Sequence, residues 1–177
     1  MIDFTNKAFI KLSSINNIEG KNMTADIRLS NEECLASYKS VRDYVIFTDR
    51  RIISIDTQGV SGRKKDYTSM PYSKINVYSI ETAGMRDFDS ELELYFSGIG
   101  KIKFEFTDYA DIKLIGKLIS TFIFGDKEEQ QVIIKTLLSG DNYDTSNIEA
   151  GPNEWKCKNC GRINQDYVGT CGCGQHK

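Results

Sequence analysis

The chain has 177 residues, 40% hydrophobic and 27% charged, with 23 Lys+Arg against 25 Asp+Glu for a net charge of −2. That length holds one ordinary domain plus a small appendage, and the near balance of charge excludes global electrostatics as a basis for nucleic-acid or membrane binding. No basic stretch followed by an apolar core opens the chain and no run reaches the roughly 18 apolar residues of a spanning helix, so a cytoplasmic protein with reduced thiols is expected.

In chain order, residues 1–30 read as an N-terminal arm. "NKAFIKLSS" suits a short helix or a strand equally, and "NMTADIRLS" reads as a strand. From 31 to 125 the pattern becomes a β meander. "DYVIFT" and "RIISID" flank the tight reversal Asp49-Arg50, a hairpin signal. "TQGVSGRKK" is a loop, and "DYTSMPY" and "SKINVYSIE" are strands parted by Pro71, where a strand must end or lie at an edge. "ELELYFS" and "IKFEFT" alternate with period two, predicting Leu92, Leu94, Phe96, Ile102, Phe104 and Phe106 on a buried face. The period then becomes helical: Asp111 is the expected N-cap, and Ile112, Ile115, Leu118, Ile119, Phe122 and Ile123 form one stripe that ends at Gly125. A second, shorter helix is expected over 126–140, with acids in its first turn. Residues 141–153, polar and containing Gly151-Pro152, read as a linker.

The last segment, 154–177, holds four of the five cysteines, the only tryptophan and the only histidine. In Cys157-Lys158-Asn159-Cys160-Gly161 two residues between the thiolates allow a tight turn around one metal ion, and the glycine permits the backbone that turns amides toward sulfur. Cys171-Gly172-Cys173 supplies a second pair. A segment this short cannot bury a core, whereas thiolate-bound zinc is worth about 10–16 kcal/mol and can fold it. The expected cofactor is therefore Zn²⁺, bound by Cys157, Cys160, Cys171 and Cys173. This set is favoured over one in which His176 replaces a member of the second pair. The pattern Trp155, Cys157, Cys160, Asn164, Cys171 resembles the Ran-binding-protein type zinc finger and the short zinc ribbons appended to bacterial proteins. It departs from that finger in its final pair, C-x-C where the family has C-x-x-C. Relatives of this finger bind ubiquitin or single-stranded RNA. The ubiquitin-binding form carries Thr-Phe after the second cysteine where this chain has Gly161-Arg162, so the resemblance does not carry that activity over. It implies a protein-contact module, with Trp155, Arg162 and Asn164 as candidate contact residues and nucleic acid as the less favoured partner.

The stretch from Tyr38 to Gly98 resembles the bacterial pleckstrin-homology (PH) family, in Val41-Arg42-Asp43, Phe47-Thr48-Asp49-Arg50-Arg51, Gly59 to Lys65, Pro71-Tyr72 and Ser79 to Gly84. The resemblance implies a seven-stranded bent β-sandwich or partly open barrel capped by one C-terminal helix, assembly into homo-oligomeric rings, and no enzymatic activity. Arg63-Lys64-Lys65 reads first as a solvated hairpin tip and second as an anionic lipid or phosphate site. Arg50-Arg51 reads as solvent-facing charge at a turn. Cys34 reads as a small core residue at the start of a strand rather than a nucleophile. Asp87, Asp89 and Glu91 read as loop and strand-face charges rather than an acid–base pair, and "GVSGRKK" lacks the G-K-[ST] ending and helix of a phosphate loop. The function expected from the sequence is a non-enzymatic scaffold or adaptor with a self-associating body and a zinc ribbon that contacts a protein partner. Lipid or phosphate binding through Arg63–Lys65, or nucleic-acid binding by the ribbon, are the alternatives.

Overall fold

The alternating segments near position 100 form a hairpin with the predicted faces. β7 (Ser90–Phe96) pairs antiparallel with β8 (Gly100–Phe106) in the register Leu92↔Phe104 and Leu94↔Ile102, and all six predicted inward residues are buried. Gly98 in the connecting turn has φ 71°, a backbone setting that favours glycine. The structure is a computed structural model that describes residues 7–58, 64–83, 89–98, 100–107, 112–139, 152–158, 163–170 and 175–177. The chain divides into two compact units, Met1–Ile134 and Lys135–Lys177, called here the body and the tail.

The body is a curled half-barrel sheet of eight strands rather than the expected seven. Upstream of the hairpin run β1 (Lys7–Ile15), β2 (Cys34–Lys39), β3 (Tyr44–Thr48), β4 (Arg51–Gln58), β5 (Lys64–Pro71) and β6 (Ile75–Glu81), and the spatial order is β5-β4-β3-β2-β1-β8-β7-β6. The meander read from Cys34 onward accounts for β2 to β8. The eighth strand is β1, from the segment the sequence left open, and it occupies the middle of the sheet. Its last residues pair antiparallel with β2 (Ser13↔Lys39 to Ile15↔Ser37) and its first pair parallel with β8 (Lys7↔Ile102 to Leu12↔Phe106). The parallel pairing is broken by a bulge between Phe9 and Leu12, where Lys11 has φ 56°, and the change of partner follows between Leu12 and Ser13. The sheet thus begins at Lys7, not at Asn31, and the arm expected over 1–30 supplies its central strand.

"NMTADIRLS" is not a strand. It lies at and beyond the end of α1 (Asn17–Met23), whose N-cap Asn16 accepts a hydrogen bond from the Ile18 amide at 2.8 Å. Gly20 lets this helix touch β2: a Cβ there would lie 2.1 Å from Ser37 Oγ. Residues 15–27 cover one face of the sheet, where Cys34, Tyr44, Ile46, Ile53 and Ile55 form a cluster joined by Ile15, Met23, Ile27 and Tyr67. Val45, Phe47, Ile52 and Met70, at intervening positions, are fully buried on the other face. β3 is therefore buried throughout, and its continuous apolar run carries no period-two signal. Phe9 stacks on Phe104 with centroids 5.4 Å apart, and Tyr38 packs edge-on against Phe47 and Phe106.

A 3₁₀ turn, Tyr72–Lys74, links β5 to β6. α2 (Ile112–Phe124) packs on this turn, β6 and β7, burying Ile112, Ile115, Leu118 and Ile119 and stacking Phe122 on Tyr72 at 4.8 Å. Its expected N-cap, Asp111, lies outside the described residues. α3 (Lys127–Ser139) starts in a capping box: Asp126 Oδ1 accepts from the Glu128 and Glu129 amides, and Glu129 Oε2 accepts from the Asp126 amide. Among the described residues no helix is long and apolar enough to cross a membrane.

Candidate functional site

The tail builds its structure on two short reversals. β9 (Glu154–Lys156) pairs antiparallel with β10 (Ile163–Gln165) in the register Lys156↔Ile163, Trp155↔Asn164 and Glu154↔Gln165. The reversal between them carries the first cysteine pair. The second pair lies between Thr170 and His176, which form an isolated antiparallel bridge. Of the four candidate ligands, Cys157 is described, and its side chain is buried against Trp155. Cys160, Cys171 and Cys173 lie outside the described residues.

Trp155 and Asn164 are buried, at 9% and 7% exposure, rather than offered as contact surface. The Trp155 indole N–H donates to the Val168 carbonyl at 2.7 Å and ties the first hairpin to the following segment. Their roles are internal, whereas Tyr167, among the described tail residues, is an exposed aromatic, at 65%. Arg162 lies outside the described residues. His176 Nδ1 lies 2.9 Å from Thr170 Oγ1, so that ring nitrogen is engaged by a side chain of its own reversal. Lys177 pairs with Asp166 and closes the second segment on the first.

In the body, Lys64 and Lys65 open the edge strand β5 and are exposed. As consecutive strand residues they leave from opposite faces of the sheet, which separates rather than converges their charges. Arg63 is outside the described residues. Arg51 departs from the sequence reading. Instead of facing solvent, its guanidinium grips the fully buried Glu32 through Nε at 2.9 Å and Nη2 at 3.0 Å, and its remaining donors reach the Ile27 carbonyl and Ser69 Oγ. Burial pushes the Glu32 carboxyl up, but hydrogen bonds from Arg51, the Leu29 amide and Thr48 outweigh it and hold the group below the ordinary glutamate value. This pair clamps the segment after α1 to β4. No sequence signal marked Glu32 as the partner, because it lies 19 residues away in a loop.

Cys34 is fully buried in the cluster beneath α1, and burial pushes its thiol up, as suits a core residue. Glu91 is paired with Lys103 at 2.6 Å and Glu93 with Lys101 at 2.7 Å across β7 and β8. Asp87 lies outside the described residues, and among those described no three His, Cys, Asp or Glu side chains converge. The body's unfinished surfaces are the two ends of its sheet, β5 and β6.

A curled antiparallel meander closed by a C-terminal helix defines a PH-like module. The sequence model of the Bacterial PH domain matches residues 3–123, and the chain belongs to that family. Over 74 residues it is 47% identical to the "Uncharacterized protein YjqA" of Bacillus subtilis (strain 168), a match covering 42% of this chain and 59% of that protein. The chain therefore spans less than two thirds of the curated relative's length. Two solved structures are similar. A pleckstrin-homology-domain protein of Shewanella loihica PV-4 is 36% identical with TM-score 0.57, over 64% of this chain and 98% of that one. A pleckstrin homology domain of Shewanella amazonensis SB2B is 38% identical with TM-score 0.51, over 64% and 92%.

Proposed function

We propose that the chain is a non-enzymatic cytoplasmic scaffold or adaptor, in which the PH-like body self-associates and the tail, folded around Zn²⁺, contacts a protein partner. The observation that carries this reading is the division into two compact units with different means of support, a sheet ending in two open edges and a tail built on two cysteine-bearing reversals. The donor set fits zinc: four cysteines spaced as two pairs, of which Cys157 is buried beside Trp155. Cys157, Cys160, Cys171 and Cys173 would hold the ion, whose role is to fix the tail's fold. The partner surface is assigned to the exposed Tyr167 and its neighbours. Several tails carried by one assembled body would gain avidity through effective concentration.

Mass in solution tests the platform. At micromolar concentration the protein is expected at a multiple of its 20.1 kDa chain mass, and removal of everything after Gly151 is expected to leave that multiple unchanged. A strict monomer overturns the platform half of the reading.

A further inference from the structure

Residues 16–33 join the end of β1 to the start of β2, yet β1 and β2 already pair directly, from Ser13↔Lys39 to Ile15↔Ser37. The segment between them therefore belongs to no strand ladder. Among the described residues its backbone hydrogen bonds close on itself, as from Thr24 to Gly20, Arg28 to Thr24 and Glu32 to Leu29. The first backbone bond to the sheet comes at Glu33, whose carbonyl accepts from the Asp49 amide. Side chains fasten the rest, chiefly at its two ends. At one end Glu19 Oε1 accepts from Lys39 Nζ at 3.1 Å and from the Tyr44 hydroxyl at 3.2 Å, and both charged side chains stay partly exposed. At the other, buried Glu32 is gripped by Arg51, which also holds the Ile27 carbonyl.

The underside of the segment is less well seated. Within α1 Gly20 alone is buried, and Ile18 is 66% exposed. Ser37 Oγ, directly beneath Gly20, and Asn17 Oδ1 are buried with no hydrogen-bond partner in the chain, and a buried polar atom left so opposes closure. Closure is favoured by Met23 and Ile27, which pack on the apolar cluster around Cys34, and by Thr24, which hydrogen-bonds the Cys34 thiol. A segment with few buried side chains, no ladder bonds and charged fastenings belongs to the class that opens below the global transition.

We propose that residues 16–32 are a latched strap, which swings off an intact sheet as one unit and uncovers Cys34 and the apolar cluster beside it. Glu19 on Lys39 is the salt-sensitive latch, because a partly exposed pair is screened by added ions whereas buried Glu32 is not. The body thus carries an apolar face that is complete in the fold and presented only in the open state.

Native-state hydrogen exchange of the full chain, together with alkylation of Cys34 by iodoacetamide, tests this. Reading the alkylation peptide by peptide keeps the four tail cysteines apart. In wild type the amides of 17–32 are expected to exchange through one common opening, roughly tenfold or more faster than those of β3 and β4. Cys34 should react through that same opening. Raising salt from about 0.05 M to about 0.5 M, or Glu19→Gln, should each speed the alkylation roughly two- to fivefold, and the two effects should not add. Ser37→Ala, which removes the unpaired hydroxyl, should slow it about fivefold or more. Melting curves control for folding, and should a variant fail to fold, the wild-type exchange pattern and its response to salt decide alone. Exchange of 17–32 and alkylation of Cys34 only at the pace of β3 and β4, or unrelated rates along 17–32, overturns the strap. Rates unmoved by both salt and Glu19→Gln overturn the latch.

Discussion

Among the described residues, the body's buried hydrophobic side chains run from Phe9 to Ile133, on both faces of β3 and under two helices, whereas the tail contributes Trp155 and Cys157 alone. Both units contain hairpins with sound registers. A hairpin by itself is marginal in water, and three or more strands with an apolar face are needed for independent stability. The body meets that requirement several times over. Among the described residues the tail does not, and the proposed zinc site would supply what apolar burial leaves short. The difference teaches that one chain can hold two units whose stabilities answer to different chemistry, and that perturbing one should leave the other intact.

The largest expected effect is on the tail. Cys157→Ala, or treatment with a strong chelator, should remove most of the roughly 10–16 kcal/mol that zinc supplies to a thiolate site. Limited proteolysis should then cut rapidly within 152–177, while the body's melting temperature stays within about 1 °C of wild type. A parallel loss of body stability would break the comparison.

Next in size is Glu32→Gln, which leaves the Arg51 guanidinium half-buried without its charge partner. Chemical denaturation should show a loss of about 3–5 kcal/mol, with tail protection unaffected. The sign with pH follows from the lowered Glu32 carboxyl. Its contribution is complete above the unfolded-state value and is lost as pH falls through the lower folded-state value. Wild-type stability should therefore drop in acid, and Glu32→Gln should flatten part of that drop.

Gly20→Ala drives a methyl group into Ser37 and should cost about 1–3 kcal/mol by separating α1 from β2. Smallest is Lys11→Gly, which relieves the positive φ at the β1 bulge and should stabilise the body by about 1 kcal/mol or less, read as a small rise in denaturation midpoint.

β7, β8 and α2 were legible in the sequence because each buries one face or stripe, so apolar spacing reports the element directly. β1 and α1 were not. Ile10 and Ile18 are exposed, the bulge at Lys11 breaks the alternation, and the partners of β1 lie far along the chain, where local spacing carries no information. Arg51 was misread for a related reason: two adjacent arginines at a turn look alike, and only the fold brings Glu32 to one of them. In the tail Trp155 and Asn164 looked like contact residues, because their burial depends on the β9–β10 pairing.

The measurement that tests the two-unit account most directly is the metal content of full-length protein purified without chelators, taken together with that of Cys157→Ala. The account predicts one zinc per chain in the first and loss of that zinc in the second. Metal-free protein whose tail resists protease as well as its zinc-supplemented form would contradict it.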